Sequence, residues 1–288
     1  MNSKPIDANT RLAAIIGNPV AQSLGPKIHN AVFKAFNVNW LYLAFLVESG
    51  KVRDAIDAMS VLGIAGYSVT MPHKIDVAKI VSEIGEVDEI VKFTKSANTV
   101  LLRPDGTIFA TNTDGQGACN AIEFASTQKI AKSRVVVIGA GGTASAVVYS
   151  LIKNGASEVV IINRTTERAE QIAKNYNNCR VGREISVEIN KAQIVINTTP
   201  VGFSPTGSEM HDTDQSPIDV KLLNASHTVL DAVYRPLETG LLRAAKNAGA
   251  QTVDGLEMLV QQAALQQEVW LGRRGDANLM RSVALETQ

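Results

Sequence analysis

The sequence predicts an α/β protein with two domains, and three features support this prediction. Its 288 residues are more than a single hydrophobic core usually takes up. Short apolar runs alternate with amphipathic helical patterns, an order typical of parallel or mixed sheets covered by helices. The alternation begins near Arg11 and begins again at Arg134. We therefore expect two α/β domains with a cleft between them.

The first domain opens with alternating strands and helices. Predicted strands are residues 11–16, 41–46 and 64–70. Predicted helices lie around residues 28–36, at 52–62, and from Pro72 onward, where the fixed φ of proline suits a first helical turn. The segments 99–102 and 108–111 flank Pro104-Asp105-Gly106, and they predict a hairpin that closes this domain near Asp114.

The second domain repeats the alternation. Predicted strands are residues 135–138, 159–162, 194–196 and 229–230. A glycine-rich turn and a helix to about Asn154 join the first two, and a polar loop is predicted from Ser204 to Pro217. The last helical pattern, residues 256–271, could return to the first domain. The predicted domains are therefore residues 1–117 with 256–288, and residues 118–255.

Charge and composition exclude several classes of partner. Lys plus Arg and Asp plus Glu both number 28, so the chain offers no long-range attraction to nucleic acid or to an anionic membrane. We see no signal-peptide pattern and no apolar run long enough for a bilayer, which favours a cytoplasmic protein with a small-molecule partner. Cys119 and Cys179 are isolated, so neither a disulfide framework nor a metal site is expected.

A glycine-rich turn directly follows the strand at 135–138. The segment Gly139-Ala140-Gly141-Gly142-Thr143-Ala144 has the spacing GxGxxA and opens a helix. Glycines there let a pyrophosphate approach backbone N–H groups at a helix N-terminus, where the dipole favours negative charge. A turn without a ligand is the plain alternative, but the order strand, turn, helix favours nucleotide binding. We expect a Rossmann-type dinucleotide domain here and an N-terminal α/β domain for the substrate.

The residues after the next strand indicate which dinucleotide is bound. About twenty residues beyond the glycines, an NAD enzyme places a carboxylate that accepts from the ribose hydroxyls. This chain has Asn163-Arg164-Thr165 there, and Arg168 follows one helical turn later. A guanidinium can clamp a 2′-phosphate through its forked donors, although a surface arginine is more often only solvated. The position favours NADP.

Two polar segments suggest proton transfer. Lys74 ends Ser68-Val69-Thr70-Met71-Pro72-His73-Lys74 and falls in the first turn of a predicted helix, where the positive end of the dipole disfavours an ammonium. Asp114 is predicted in a turn at the domain boundary, and Asn98 supplies an amide. Taken alone, Lys74 is better interpreted as a solvent-facing lysine and Asp114 as a turn residue. His73 is interpreted as structural.

The segments taken together resemble one enzyme family. In chain order they are GNPVAQSLGPKIHN, SVTMPHK, ANTV, NTDGQG, GAGGTA, NRT, NTTPVGF, VYRPLETGLL and DGLEMLVQQA. This order, which covers almost the whole chain, resembles shikimate dehydrogenase. The resemblance implies an NADP-dependent oxidoreductase that interconverts shikimate and 3-dehydroshikimate in the chorismate pathway of aromatic amino acid biosynthesis.

The resemblance also implies roles for single residues. Lys74 and Asp114 become the catalytic pair that holds the reacting hydroxyl and shuttles its proton, and which of the two is the base stays open. The residues implied for the substrate are Thr70 and Asn98 at ring hydroxyls, Gln262 from the last helix, and Tyr234 at the carboxylate. The residues implied for NADP are Gly139, Ala140, Gly141, Gly142 and Thr143 at the phosphates, Asn163, Arg164, Thr165 and Arg168 at the adenosine phosphate, and Ala232 and Gly255 on the nicotinamide side.

The chain departs from the family in its first motif. The family has S-x-S-P, whereas this chain has Ser23-Leu24-Gly25-Pro26. Ser23 and the free N–H groups of the helix predicted from Pro26 suit a carboxylate, but the second hydroxyl is missing. A lost hydrogen bond to a charged group costs about 1.5–3 kcal/mol. We expect weaker shikimate binding, or space for a bulkier acid such as quinate; Phe203, where the family often has methionine, is a smaller departure.

Other interpretations stay open at this point. A quinate or mixed quinate and shikimate dehydrogenase is the alternative enzyme. A non-catalytic sensor of nucleotide and cyclic acid would share the fold, although Lys74 and Asp114 argue against it. Folate-linked or tRNA-linked reductases share the glycine turn but do not predict SVTMPHK and NTDGQG in this order. The sequence does not decide between a monomer and a homodimer.

Overall fold

The computed structural model describes residues 6–204 and 215–286. The chain divides into two compact units, Met1–Thr113 with Gln262–Gln288, and Asp114–Gln261. Within these described residues, each unit contains one six-stranded sheet. The predicted α/β fold class is confirmed, and the domain boundaries drawn after residue 117 and before residue 256 stay predictions. Most of the loop predicted from Ser204 to Pro217 lies outside the described residues.

The first unit is a mixed sheet with helices. Its strands are Arg11–Gly17 (β1), Trp40–Leu46 (β2), Gly66–Val69 (β3), Glu86–Val87 (β4), Thr99–Leu102 (β5) and Ile108–Thr111 (β6). Its helices are Gly25–Ala35 (α1), Val52–Val61 (α2), Lys74–Ile84 (α3), Glu89–Thr94 (α4) and the last helix, Ala277–Leu285 (α11). The strand order is β2-β1-β3-β5-β6-β4. β1 is parallel to β2 and β3, and β5 and β6 form the predicted antiparallel hairpin.

Two aromatic side chains anchor the core of the first unit. The Tyr42 ring stacks on His29 with 4.4 Å between ring centroids. Trp270 lies in the long helix Gly255–Leu271 (α10), and its indole N–H donates to the carbonyl of Val100 at 3.0 Å. A Cβ added to Gly66 would lie 2.5 Å from the Trp270 ring, so β3 approaches that ring at a distance only glycine permits. The end of the long helix therefore packs against this sheet.

Local boundaries differ from the prediction in the first unit. α3 begins at Lys74 rather than at Pro72, because residues 71–73 form a turn before the helix. Lys74 nevertheless lies in the first helical turn, as predicted. α4 was not predicted, although Asp88 caps it by accepting from the Val91 N–H at 3.1 Å.

The second unit is a parallel sheet with helices on both faces. Its strands are Arg134–Ile138 (β7), Glu158–Ile162 (β8), Cys179–Val181 (β9), Ile194–Asn197 (β10), Thr228–Asp231 (β11) and Gln251–Val253 (β12). Its helices are Asp114–Ala125 (α5), Gly142–Lys153 (α6), Thr166–Ala173 (α7), Ile185–Asn190 (α8), Gly240–Asn247 (α9) and the start of α10. The strand order is β12-β11-β10-β7-β8-β9, and every pair is parallel.

Alternate residues of the second sheet enter two separate cores. Val135 and Val137 belong to the cluster that includes α5 and α6 side chains. Val136 and Ile138 belong to the cluster that includes α8 and α9 side chains. Burial on both faces explains why the four residues of β7 after Arg134 are all apolar rather than alternating.

The prediction of a turn at Asp114 is wrong, because Asp114 is the first residue of α5. The next residue explains how that helix is placed. A Cβ on Gly115 would lie 2.0 Å from the carbonyl oxygen of Ala146, so α5 and α6 pack with their backbones in close contact. Asp114 is 6% exposed and sits at the N-terminus of α5. Among the described residues, no helix is both long and apolar enough to cross a membrane.

Candidate active site

The strand register of the second unit collects polar residues at one edge of its sheet. Ile138 pairs with Ile162 and with Asn197, and Asn197 pairs with Asp231. The residues that follow these strands therefore lie side by side at the carboxyl edge. The strand order reverses between β7 and β10, and open α/β sheets bind their ligands outside such a switch point.

The glycine turn lies at this switch point. Gly139 has a φ of +113°, and its N–H donates to the Ile162 carbonyl at 2.8 Å. A Cβ at Gly139 would lie 2.5 Å from Thr198 Oγ1, so this position excludes side chains for internal reasons. Gly141 differs: a Cβ there would meet no atom within 4 Å, and the residue caps the N-terminus of α6. The open space in front of α6 is what a phosphate group needs.

Two arginines, Arg164 and Arg168, follow the neighbouring strand β8. Asn163 follows β8, and its amide donates to the Thr165 carbonyl at 2.8 Å, which shapes the turn into α7. Arg164 and Arg168 are both exposed. Their guanidinium groups are thus available at the edge where the sequence predicts the 2′-phosphate.

The buried carboxylate of Asp231 holds in place the loops that follow β10 and β11. Asp231 is fully buried and accepts from the amide of Asn197 at 2.8 Å and from the Thr239 hydroxyl at 2.7 Å. Burial raises the pKa of Asp231 to about 6, although these donors act in the opposite direction. A Cβ on Gly255 would lie 2.7 Å from the carbonyl oxygen of Ala232. The structure therefore brings Ala232 and Gly255 together.

In the first unit the Asn98 amide is the centre of a buried network. Its Oδ1 accepts from the Thr113 N–H at 2.8 Å and from the Thr99 hydroxyl at 2.7 Å. Its Nδ2 donates to Thr113 Oγ1 at 3.0 Å and to Gln262 Oε1 at 3.3 Å. The structure thus brings Asn98 and Gln262 together and fixes Thr113, the residue before Asp114.

Lys74 and Thr70 lie beside this network. The Lys74 carbonyl accepts from the Ala97 N–H at 2.9 Å, and the Val69 N–H donates to the Asn98 carbonyl at 2.8 Å. The Thr70 N–H donates to the Ile16 carbonyl at 3.0 Å, which ties the residue to the end of β1. Thr70 follows β3, Asn98 precedes the antiparallel strand β5, and Lys74 begins α3, so these residues lie at one end of the first sheet.

Gly25 does not leave an empty space. A Cβ at this position would lie 3.1 Å from Ser23 Oγ and 3.1 Å from Tyr42 Cε1. Ser23 Oγ accepts from the Gly25 N–H at 3.1 Å. The Tyr42 hydroxyl donates to Ser68 at 2.7 Å, so the ring is held in place beside Gly25. The expectation that Gly25 simply opens space for a bulkier acid is therefore not supported by this packing.

The candidate residues fall into both units. Ser23, Thr70, Lys74, Asn98 and Gln262 belong to the first. Asp114, Tyr234 and the candidate residues for the cofactor belong to the second. Tyr234 is partly buried and follows β11, and burial raises its pKa. His73 is fully buried, and its Nε2 donates to the Val47 carbonyl at 2.7 Å, which fits a structural role.

Three residues near these groups were not singled out from the sequence. Gln266 accepts from the Ser68 hydroxyl at 2.8 Å and donates to the Asn98 carbonyl at 3.2 Å. Thr198 donates to the Ile138 carbonyl at 2.7 Å and lies against Gly139. Arg183 lines a groove that Asn163 also lines. Helical spacing of four from Gln262 could have identified Gln266, and the position after a predicted strand could have identified Thr198.

Family models match three parts of the chain. Residues 15–100 match the substrate-binding domain of shikimate dehydrogenase, residues 123–231 match shikimate / quinate 5-dehydrogenase, and residues 255–285 match the C-terminal domain of shikimate 5′-dehydrogenase. The matched ranges include the glycine turn, Asn98 and Gln262.

Curated relatives match over nearly the full length. The NADP(+) shikimate dehydrogenase of Methanocaldococcus jannaschii is 36% identical over 290 residues, covering 98% of each chain. A shikimate dehydrogenase crystallised with NADP+ has a TM-score of 0.87 at 32% identity, over 99% of this chain and 98% of that one. The Thermus thermophilus shikimate 5-dehydrogenase, solved with NADP(H) and shikimate, has a TM-score of 0.86 at 28% identity, over 96% of this chain and 100% of that one.

The Asp231 carboxyl predicts a pH dependence of stability. Its pKa is about 6 in the folded protein and about 4 in an unfolded chain, so the folded state binds the proton more tightly. The resulting stabilisation is fully present below pH 4 and is lost as the pH rises to about 6. We expect the free energy of unfolding of the wild-type protein to fall by on the order of 2–3 kcal/mol between pH 4 and pH 7, and that of Asp231→Asn to show no such fall. Urea unfolding at intervals across this pH range measures both.

The exposed Asp219 provides the control for this measurement. Asp219→Asn should keep the pH dependence of the wild-type protein. An unchanged pH dependence in Asp231→Asn would show that the buried carboxyl does not titrate in this range.

Proposed function

The chain belongs to the shikimate dehydrogenase family, and on that basis we propose that it interconverts shikimate and 3-dehydroshikimate with NADP as the hydride carrier. The near full-length match to relatives named NADP(+) shikimate dehydrogenase carries this proposal. The family, the enzyme class and the cofactor expected from the sequence are confirmed by these relatives. The shared name also makes quinate the less favoured substrate.

The second unit has the features that NADP requires. When bound, NADP accepts the hydride from the substrate or returns it in the reverse direction. Gly141 leaves open space before α6, and Ala140, Gly142 and Thr143 line the same turn. We propose that these residues hold the pyrophosphate, with Gly139 shaping the turn.

Arginines complete the proposed NADP site. Arg164 and Arg168, with Asn163 and Thr165 shaping the turn, would hold the 2′-phosphate through charged forked donors. Among the residues after β8, no carboxylate takes the place that an NAD enzyme gives to the ribose hydroxyls. Ala232 and Gly255 would lie on the nicotinamide side.

We assign proton transfer to Lys74 and Asp114. Oxidation of an alcohol removes a hydride from carbon and a proton from oxygen, so the protein needs a group that accepts the proton. Lys74 opens α3 and Asp114 opens α5, and each is fixed by backbone bonds of its helix. Lys74 and Asp114 together hold the hydroxyl and its proton, and either can serve as the base.

The remaining first-unit residues would bind the substrate. Ser23 at the start of α1 suits the carboxylate, and Thr70 and Gln262 suit ring hydroxyls; Tyr234 would add a contact to the carboxylate. Asn98 is proposed both to contact the substrate and, through its bonds to Thr113, to position Asp114.

Some broader features belong to the same proposal. Residues 1–117 with 256–288 would form the substrate domain and residues 118–255 the NADP domain. The enzyme would act in the cytoplasm on a small cyclic acid. A non-catalytic sensor remains the alternative of another class, and turnover measurements separate the two.

The function is tested by initial rates at the NADPH absorbance band. Purified protein would be given shikimate or quinate, each with NADP or NAD. We expect turnover with shikimate and NADP, and Lys74→Ala should lower kcat by about 10²–10⁴-fold because a proton-transfer group is lost. Lys79→Ala, on an exposed position of the same helix, is the control and should keep full activity.

Other outcomes of these rate measurements would contradict parts of the proposal. Faster turnover with quinate would overturn the substrate, and faster turnover with NAD would overturn the role of Arg164. No turnover with any pair, combined with a ligand-induced rise in Tm, would favour the sensor.

The cofactor turn predicts an effect on binding alone. Gly141→Ala adds a methyl group where no protein atom lies within 4 Å, so Tm without ligand should not change. The same methyl group enters the space proposed for the pyrophosphate, and we expect the Kd for NADPH, measured by fluorescence, to rise about tenfold or more. Tight NADPH binding by this variant would place the pyrophosphate elsewhere.

Gly25 predicts a difference between two substitutions. Gly25→Ser and Gly25→Ala both press on Tyr42 Cε1, but only serine adds a hydroxyl beside Ser23. Relative to Gly25→Ala, Gly25→Ser should lower the KM for shikimate by about 10–100-fold, the value of one hydrogen bond to a charged group. Equal KM values in the two variants would show that residue 25 does not reach the carboxylate.

A further inference from the structure

The arginines of the chain differ in whether another residue of the protein binds them. Most donate to a carboxylate or lie over an aromatic ring; Arg53, for example, pairs with Asp57 at 3.1 Å. Among the described residues, three guanidinium groups have no hydrogen bond, ion pair or ring contact, and they belong to Arg164, Arg168 and Arg183. A single unpaired arginine is often only solvated, but three of them at one place favour an anion site.

Arg183 lies at the same edge of the second sheet as the two arginines that follow β8. β9 runs parallel to β8 with Ile161 paired with Val181, and the Gly182 N–H donates to the Ile161 carbonyl at 2.9 Å. Arg183 therefore follows β9 as Asn163 follows β8. Neighbouring strands are about 4.8 Å apart. All three unpaired arginines thus extend from one short stretch of the carboxyl edge, on either side of Asn163.

Close packing fixes the end of β9 and so the position of Arg183. A Cβ at Gly182 would lie 2.9 Å from Val160 Cγ1, so a larger residue would have to displace the buried valine. Arg180, on β9 itself, is not available to a ligand, because its two terminal nitrogens donate to both carboxylate oxygens of Glu188 at 2.8 Å. Of the two arginines in this segment, Arg183 alone is therefore free to bind a group from outside.

The groove that Arg183 lines has the charge of an anion site. Asn163 and Thr166 line it together with Arg183, and Lys174 lines it further along α7. Of the residues that line it in the described part of the chain, Glu170 alone carries a carboxylate. Thr166 is the first residue of α7, so the positive end of the helix dipole lies at the same end of the groove as Arg183.

Carboxylates are close by in the chain but do not neutralise these arginines. Glu167 precedes Arg168 and Glu184 follows Arg183, and within the described residues neither glutamate forms an ion pair with them. Cations that gather without a counter-charge repel one another and destabilise the folded protein. Binding of an anion with more than one negative charge removes this repulsion, so the arrangement suits a phosphate group.

We propose that Arg183 is a third arginine for the 2′-phosphate of NADP and contributes to the preference for NADP over NAD. This inference rests on the proposed function. A phosphate monoester carries a charge of about −1.5 to −2 at pH 7 and offers three acceptor oxygens. Arg164 and Arg168 approach it from one segment, and Arg183 approaches from the neighbouring strand, so that forked donors surround the group. The 2′-phosphate is remote from the nicotinamide, so Arg183 affects binding and not hydride transfer.

Binding of two cofactors that differ only in the 2′-phosphate tests this inference. The Kd values of the full chain for NADPH and for NADH would be measured by fluorescence titration. Arg183→Ala should raise the Kd for NADPH by about tenfold, the value of one hydrogen bond to a charged group. The Kd for NADH should stay the same, since NADH has a hydroxyl in that place. Arg183→Lys keeps the charge but loses the fork, and its Kd for NADPH should fall between the two.

A matched control separates a contact with the phosphate from a general effect of charge. Lys174→Ala removes one positive charge from the same groove, about 12 Å along α7 from its first residue and beyond the Debye length at physiological salt. This variant should keep the wild-type Kd for NADPH. In steady-state rates, Arg183→Ala should raise the KM for NADP and leave kcat unchanged. An equal loss of affinity for NADPH and NADH, or a lowered Tm, would contradict the proposal.

The same measurements distinguish failure of this inference from failure of the proposed function. If the wild-type protein binds NADPH no more tightly than NADH, the proposed cofactor preference is wrong and the inference about Arg183 is wrong with it. If the wild-type protein prefers NADPH and Arg183→Ala keeps the same ratio of the two Kd values, only the inference is wrong. Adenosine 2′,5′-bisphosphate and 5′-AMP differ by the same phosphate, and calorimetric titration with them should give the same loss without turnover.

Discussion

The close approach of Gly139 to Thr198 is the contact on which the carboxyl edge of the second unit depends. With a φ of +113° and 2.5 Å between an added Cβ and Thr198 Oγ1, no side chain fits at position 139. This tight turn lets the chain leave β7 and enter α6 at once, so the helix N-terminus faces the switch point. Gly141 has no such internal constraint, and we propose that its glycine leaves room for the pyrophosphate.

In the first unit, the buried side-chain amide of Asn98 holds the neighbouring chain segments in place. Asn98 makes bonds with Thr99, Thr113 and Gln262 through both atoms of its side-chain amide. Buried polar groups of this kind are costly when one partner is lost, so the network fixes a single arrangement. Gln266 extends it by bonding to the Asn98 carbonyl and to Ser68. The chain segment before Asp114 is held by this network.

α1 contacts Tyr42 of β2 at two places, at its N-terminus and from its middle. Its N-terminus lies next to Ser23, where the proposed carboxylate site requires N–H groups, and Gly25 packs against Tyr42. From its middle, Asn30 bonds to the backbone of the same Tyr42. Tyr42 therefore links the proposed carboxylate site to Asn30 in the middle of the helix.

The sequence by itself determined the α/β class, the strand at β7, the glycine turn and the family, because these depend on local periodicity and on ordered motifs. It also placed Lys74 in a first helical turn, although the helix begins two residues after the start predicted at Pro72. It could not determine that Asp114 begins a helix, since the segment around Gly115 predicts a turn, and the close approach of Ala146 that requires glycine there is a tertiary contact. Only the tertiary structure decided that Gly25 faces Tyr42, that Asn98 bonds to Thr113 and Gln262, and that β2 lies at a sheet edge. Each of these depends on contacts between residues distant in the chain, which neither propensity nor spacing encodes.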